Sequence, residues 1–180
     1  GAVQKVNTES VTNSTPDDQI ILSLEDGGFL VAYTHESALP NGSSSGFYVR
    51  EFNADGSAKG APQLLHTLDT AYPNASYYSL IKTDDGYLAS WVANVDAAPI
   101  FGRTLIAQKF NSALEPVGDF EVVIPVGDPN ANDASLTQLA DGTYLAVWST
   151  YNWNEGNTPY AKLLDSDLQP RGDSFIVNAS

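Results

Sequence analysis

An octet recurs three times along this chain at nearly constant spacing, and that recurrence limits the fold more than any other feature of the sequence. Asp-Gly-Gly-Phe-Leu-Val-Ala-Tyr at 26–33 returns as Asp-Asp-Gly-Tyr-Leu-Ala-Ser-Trp at 84–91 and as Asp-Gly-Thr-Tyr-Leu-Ala-Val-Trp at 141–148, the starts lying 58 and then 57 residues apart. A second landmark follows each octet, an apolar residue eight positions before a glycine: Phe52 and Gly60, Phe110 and Gly118, Leu164 and Gly172. A period of this length marks a supersecondary unit that buries its apolar face against its neighbours. The repeats run approximately over 1–60, 61–118 and 119–180, within a single repeat domain.

Each unit reads as strand, turn, strand, loop, strand, turn, strand. In the first, 19–24 is β-rich, Asp26-Gly27-Gly28 is a tight-turn signal, and 29–33 is the unbroken apolar run of a strand covered on both faces. A loop with Pro40-Asn41-Gly42 follows, then strands over 47–52 and 62–66 around the turn Asn53-Ala54-Asp55-Gly56. The second unit places strands at 77–81, 87–91, 105–110 and 120–124, the third at 136–139, 144–148, 160–164 and 175–177. No segment sustains a helical period. The expected class is all-β, three repeated four-stranded antiparallel sheets like the blades of a β-propeller, with a three-sided β-prism-like arrangement as the alternative. In either case Tyr33, Trp91 and Trp148, which recur in register, belong to the core.

Propeller rings close with about four to eight blades. Three repeats therefore predict a homodimer or a continuation into neighbouring repeats of a longer chain. The ends point the same way: Gly1-Ala2-Val3-Gln4-Lys5-Val6-Asn7 lines up with Gly172-Asp173-Ser174-Phe175-Ile176-Val177-Asn178, so the last strand of the unit is written once more at the start. An unpaired edge strand seeks a partner. Methionine is absent even at position 1, which reads as a processed or excised product.

Charge narrows the partners. With 22 acidic against 8 basic residues and a net charge of −14, the chain repels nucleic acid and anionic membrane surfaces. There is no cysteine, which removes disulfides, thiolate metal sites and cysteine nucleophiles together. No apolar run reaches the roughly 18 residues of a membrane span, so no membrane insertion is expected.

The octet, followed by Phe52-Asn53-Ala54-Asp55-Gly56, a glycine and a strand ending in Val177-Asn178, resembles the propeller-like repeats of large secreted bacterial RTX (haemolysin-type calcium-binding) proteins and adhesins. The resemblance covers all three repeats. It implies blade-like sheets, an extracellular or cell-surface location and a role in adhesion. Repeats two and three depart from the pattern, with Asn111-Ser112-Ala113-Leu114 and Asp165-Ser166-Asp167-Leu168 in place of the Asn-Ala-Asp-Gly turn. The glycine-rich nonapeptide that binds calcium in RTX proteins is absent.

Candidate sites lie in the loops. Tyr151-Asn152-Trp153-Asn154-Glu155 has no counterpart in the other repeats, and an aromatic flanked by amides and a carboxylate offers what a sugar needs, a flat face for C–H stacking and planar acceptors for paired hydroxyls. Asp128, Asn130, Asn132 and Asp133 space oxygen ligands as in the first half of a calcium loop, though Leu139 stands where an EF-hand needs its bidentate Glu, so only an isolated Ca²⁺ site is expected there. His35 and His66 belong to no nucleophile motif. The expected function is a non-catalytic, lectin-like binding or adhesion module for a glycan or cell-surface ligand. The alternatives are a structural assembly module without a small ligand, and a carbohydrate-active enzyme drawing paired acids from Glu36, Asp96 and Glu155.

Overall fold

The computed structural model describes residues 19–35, 46–67, 75–97, 100–124, 131–152 and 156–178. All regular structure among them is β, in two compact units, residues 1–68 and 69–180. The first unit holds one antiparallel sheet, β1 (Ile20–Ser23), β2 (Phe29–His35), β3 (Gly46–Phe52) and β4 (Gln63–Thr67), in sequential order. The second holds two more: β5 (Ser76–Thr83), β6 (Gly86–Ala97), β7 (Ile100–Asn111) and β8 (Pro116–Ile124), then β9 (Asn132–Gln138), β10 (Tyr144–Asn152), β11 (Gly156–Leu164) and β12 (Phe175–Ile176). Every neighbour is antiparallel and next in sequence. The sequence therefore placed all twelve strands of the described residues, as three repeated four-stranded sheets of blade-like topology, while the strand copy expected at 1–7 lies outside those residues.

Why the middle strands carry unbroken apolar runs is visible in their burial. Leu30, Val31, Ala32 and Tyr33 of β2 are all buried, as are Tyr87 to Ala93 of β6, because each of these strands has covered faces on both sides. The outer strands alternate, β9 burying Ala134 and Leu136 between exposed neighbours. In the second unit one cluster joins both sheets: Leu88, Val92, Leu105 and Ile124 meet Ala134, Leu136, Trp148 and Leu164. Trp91 and Trp148 are nearly sealed, stacked on Tyr78 and Tyr160 at 6.3 and 5.8 Å, which fits the core role read from their register. In the first unit Phe29 stacks on Phe52 at 5.1 Å.

β6 and β7 outrun the apolar runs that announced them. Their ladder extends from Gly86↔Asn111 to Ala97↔Ile100, past Asn94, Asp96 and Arg103, because a backbone ladder needs paired N–H and C=O groups rather than apolar side chains.

The turns where repeats two and three depart from Asn-Ala-Asp-Gly are the same turn. Gly56, Leu114 and Leu168 have φ of 83°, 62° and 66°. Their N–H groups donate to the carbonyls of Asn53, Asn111 and Asp165 at 2.9, 3.0 and 3.1 Å. A left-handed leucine costs about 1–2 kcal/mol. Burial offsets it, since Leu168 is 2% exposed within the shared cluster and Leu114 8%, and a fully buried leucine contributes roughly 1.5–3 kcal/mol.

Candidate functional site

The two ends of each sheet are built differently. In the second unit, tight turns at 84–85, 112–115, 139–143 and 165–168 close one end, while the paired strand ends Ala97↔Ile100 and Asn152↔Gly156 mark the other. In the first unit the turns at 24–28 and 53–57 close one end, and the pair His35↔Gly46 marks the other. Irregular connections carried on a rigid ladder are where binding and chemistry concentrate.

At that loop end the first strands of sheets two and three share a distortion. β5 pairs Ser76↔Val92 and then Ser79↔Ser90, and β9 pairs Asn132↔Ser149 and then Ser135↔Val147. In each case one extra residue is inserted on the outer strand, a β-bulge. The inserted turn puts Tyr77 at φ 54° and Asp133 at φ 46°, equivalent positions in the two sheets. Each is exposed, and the residue after it, Tyr78 or Ala134, is buried. Left-handed tyrosine is strained by about 1–3 kcal/mol, and strain of this kind clusters where a side chain must be aimed.

Arg103 pins the two bulges together. It stands on β7 opposite Asn94, half-buried. Its Nη1 donates to Asn132 Oδ1, its Nη2 donates to Ser76 Oγ at 2.7 Å, and its guanidinium carbon lies 5.1 Å from the centre of the Tyr77 ring. Its carbonyl accepts from Ala131 N–H at 3.4 Å. Only a planar guanidinium can serve two acceptors and stack on an aromatic face at once. The result is a polar, aromatic platform of Ser76, Tyr77, Arg103, Asn132 and Asp133 across the loop end of two sheets.

Of the sugar-site residues read from the sequence, Tyr151 and Asn152 end β10, paired with Asn157 and Gly156, while Trp153, Asn154 and Glu155 lie outside the described residues. Of the calcium candidates, Asp128 and Asn130 lie outside them too, and Asn132 and Asp133 form the β9 bulge, Asn132 accepting from Arg103. Among the described residues no three His, Asp or Glu side chains converge as a metal group. Asp96 stands on β6 opposite Phe101 near its loop end; Glu36 lies outside the described residues. Sequence reasoning missed Ser76, Tyr77 and Arg103. The signal was faint: Ser76-Tyr77-Tyr78 and Asn132-Asp133-Ala134 correspond at a spacing of 56, one residue off the octets' 57, because the turn between β5 and β6 is shorter.

No family model and no curated protein matches this sequence. Solved structures do share its fold. One is an endo-arabinase from Bacteroides thetaiotaomicron, with a TM-score of 0.58 and 15% identity over 89% of this chain and 61% of that one. Another is an endo-1,4-β-xylanase from the same organism, with a TM-score of 0.51 and 15% identity over 98% of this chain and 63% of that one. The chain thus spans less than two thirds of the length of either.

This comparison corrects the leading functional expectation. A non-catalytic adhesion module, and the view that the chain is no enzyme, do not stand beside an arabinase and a xylanase; the carbohydrate-active alternative is the one these neighbours favour. The strands that carry the repeat signal are scaffold, and function on such a scaffold resides in loops that the repeat signal does not describe.

Proposed function

We propose that this chain belongs to a carbohydrate-active enzyme that cuts glycosidic bonds within a neutral polysaccharide, with the loop end of the sheets meeting the polymer. The observation that carries the reading is the doubled, strained bulge held by Arg103 at that end. The arabinase and xylanase that share the fold support the substrate class. A net charge of −14 favours a neutral polymer over an acidic one.

Hydrolysis of a glycosidic bond takes two carboxyl groups: one donates its proton to the leaving oxygen, the other draws water onto the anomeric carbon or attacks that carbon first. Asp96, near the loop end of β6, and Glu155, in the connection after β10, are the acids proposed for this work. Trp153 is proposed as a stacking face for a sugar ring, and Arg103 as a positioning residue that fixes Ser76, Tyr77 and Asn132. An extracellular location suits a polymeric substrate. A calcium ion at Asp128, Asn130, Asn132 and Asp133 is a separate proposal, and a saturable rise in melting temperature with CaCl2 tests it.

The test is oligosaccharide release from linear arabinan and from 1,4-β-xylan. Wild-type protein should shorten at least one polymer to mixed oligosaccharides. Asp96→Asn or Glu155→Gln should lower kcat at least a hundredfold, and Trp153→Ala should act mainly on KM. Unchanged turnover in all the acid variants sinks the assignment of the loop carboxylates.

A further inference from the structure

At the opposite, turn end of the second unit lies a cavity that the proposed reaction does not use. We propose that it is a second carbohydrate subsite, holding one neutral sugar ring over a floor of Tyr87, Phe110 and Tyr144 beside the Asp84-Asp85 turn. Its volume is about 280 Å³. This is small beside the roughly 300–1,000 Å³ of pockets for larger ligands. The floor is aromatic and well packed: Tyr87, Phe110 and Tyr144 are 8%, 4% and 4% exposed and all line it. The rim is polar, formed by the exposed Asp84 and Asp85 and by Gln138, whose side chain meets the same turn.

Those groups divide the work of polyol recognition. The buried rings give the cavity an apolar floor, and carboxylates accept from vicinal hydroxyls. The Tyr144 hydroxyl is held above its usual pKa, first by burial and then by the neighbouring Asp85 and Asp84 carboxylates, so it stays a donor throughout the neutral range. Gln138 Oε1 already accepts from Asp84 N–H at 3.0 Å, so what Gln138 offers is its amide N–H donors. Lys109 also lines the cavity, but its ammonium donates to the Ser166 carbonyl and lies 3.7 Å from Asp167, which leaves the aspartate pair setting the sign of the rim. Anionic sugars are repelled.

The cavity coincides with a local departure from the repeat. The first hairpins of sheets one and three place five residues between Ser23 and Phe29 and between Gln138 and Tyr144. The corresponding hairpin of sheet two turns on Asp84-Asp85 alone, with Thr83 paired to Gly86. From Tyr87 to Val92, which pairs with Ser76 at the bulge, is five residues along β6. At about 3.3 Å per residue that is roughly 17 Å, beyond the reach of one ring. The two sites are separate.

The choice of a sugar, though not the cavity, rests on the polysaccharide reading above. Titration of ¹⁵N-labelled protein with xylotriose and with arabinotriose, followed by amide shifts, tests both independently. Saturable shifts at 84–87 and 142–144 are expected with at least one trisaccharide. In Asp85→Asn/Tyr144→Phe the apparent Kd should rise at least tenfold, and in Arg103→Ala it should not change. Absence of saturable shifts there with both sugars, or an unchanged Kd in the double variant, overturns the inference. Shifts without polysaccharide cleavage leave this subsite standing and remove the reaction; cleavage without shifts does the reverse.

Discussion

Replacing Leu168 by glycine opposes two effects that the structure allows to be weighed. At φ 66° a glycine is conformationally at home, and repeat one has Gly56 at the equivalent place, so restoring the turn signal would be expected to stabilise. The side chain says otherwise. Leu168 is 2% exposed in the cluster that joins the two sheets of the second unit, and truncating a buried leucine costs about 2–5 kcal/mol. Relief of the left-handed conformation returns about 1–2 kcal/mol. The extra freedom of glycine in the unfolded chain costs about 0.4–1 kcal/mol. The net is a loss of about 2–3 kcal/mol, or a fall in Tm of about 5–10 °C for a chain of this size. Urea unfolding followed by tryptophan fluorescence measures it as a lower midpoint at unchanged slope. Stability equal to or above wild type would refute the argument that burial, rather than turn propensity, chose leucine here.

Gly86 should be far less replaceable than Gly142. A Cβ at Gly86 would stand 2.3 Å from the Phe110 carbonyl oxygen, whereas one at Gly142 meets nothing within 4 Å. Gly86→Ala should therefore cost about 3 kcal/mol against about 1 for Gly142→Ala in the same urea assay, the latter being the left-handed penalty alone. Arg103→Ala should lower stability by about 2 kcal/mol through its two charge-assisted bonds, and Arg103→Lys should not restore it, since an ammonium cannot span Asn132 and Ser76 while stacking on Tyr77; thermal melts of the three proteins decide this. Asp141 has its carboxyl held below the usual 3.8 by the Thr143 hydroxyl and then the Thr143 N–H. A lowered carboxylate pKa stabilises above the unfolded value and is lost as pH falls through the folded one, so Asp141→Asn should be less stable than wild type at pH 6 and converge with it below pH 3.8. A constant difference across that range contradicts the linkage.

The fold was legible because its determinants are local and repeated. Apolar runs such as 87–93 and the Asp-Gly turns mark a strand wherever they occur, and three copies remove the ambiguity of one. The leucines at 114 and 168 were not legible as turn residues, because their left-handed conformation depends on burial supplied by distant parts of the chain. The platform at the loop end was harder still. Arg103 meets Ser76 and Asn132 across 27 and 29 residues, contacts that exist only once two sheets have formed. Asp133 was picked out as one oxygen ligand among several in a polar stretch; its distinguishing property is the φ of 46° shared with Tyr77, a backbone fact with no compositional signature. Function was less legible for a related reason: a scaffold that repeats its strands and varies its loops writes its strongest signal in the strands, while function on such scaffolds resides in the loops.

The most direct test of the account is the appearance of new reducing ends, with a matching fall in viscosity, when the purified protein is incubated with linear arabinan and with 1,4-β-xylan. A viscosity drop that outpaces the gain in reducing ends on at least one polymer is the predicted result, the mark of cuts within the chain. Folded protein that leaves both polymers at full length contradicts the account.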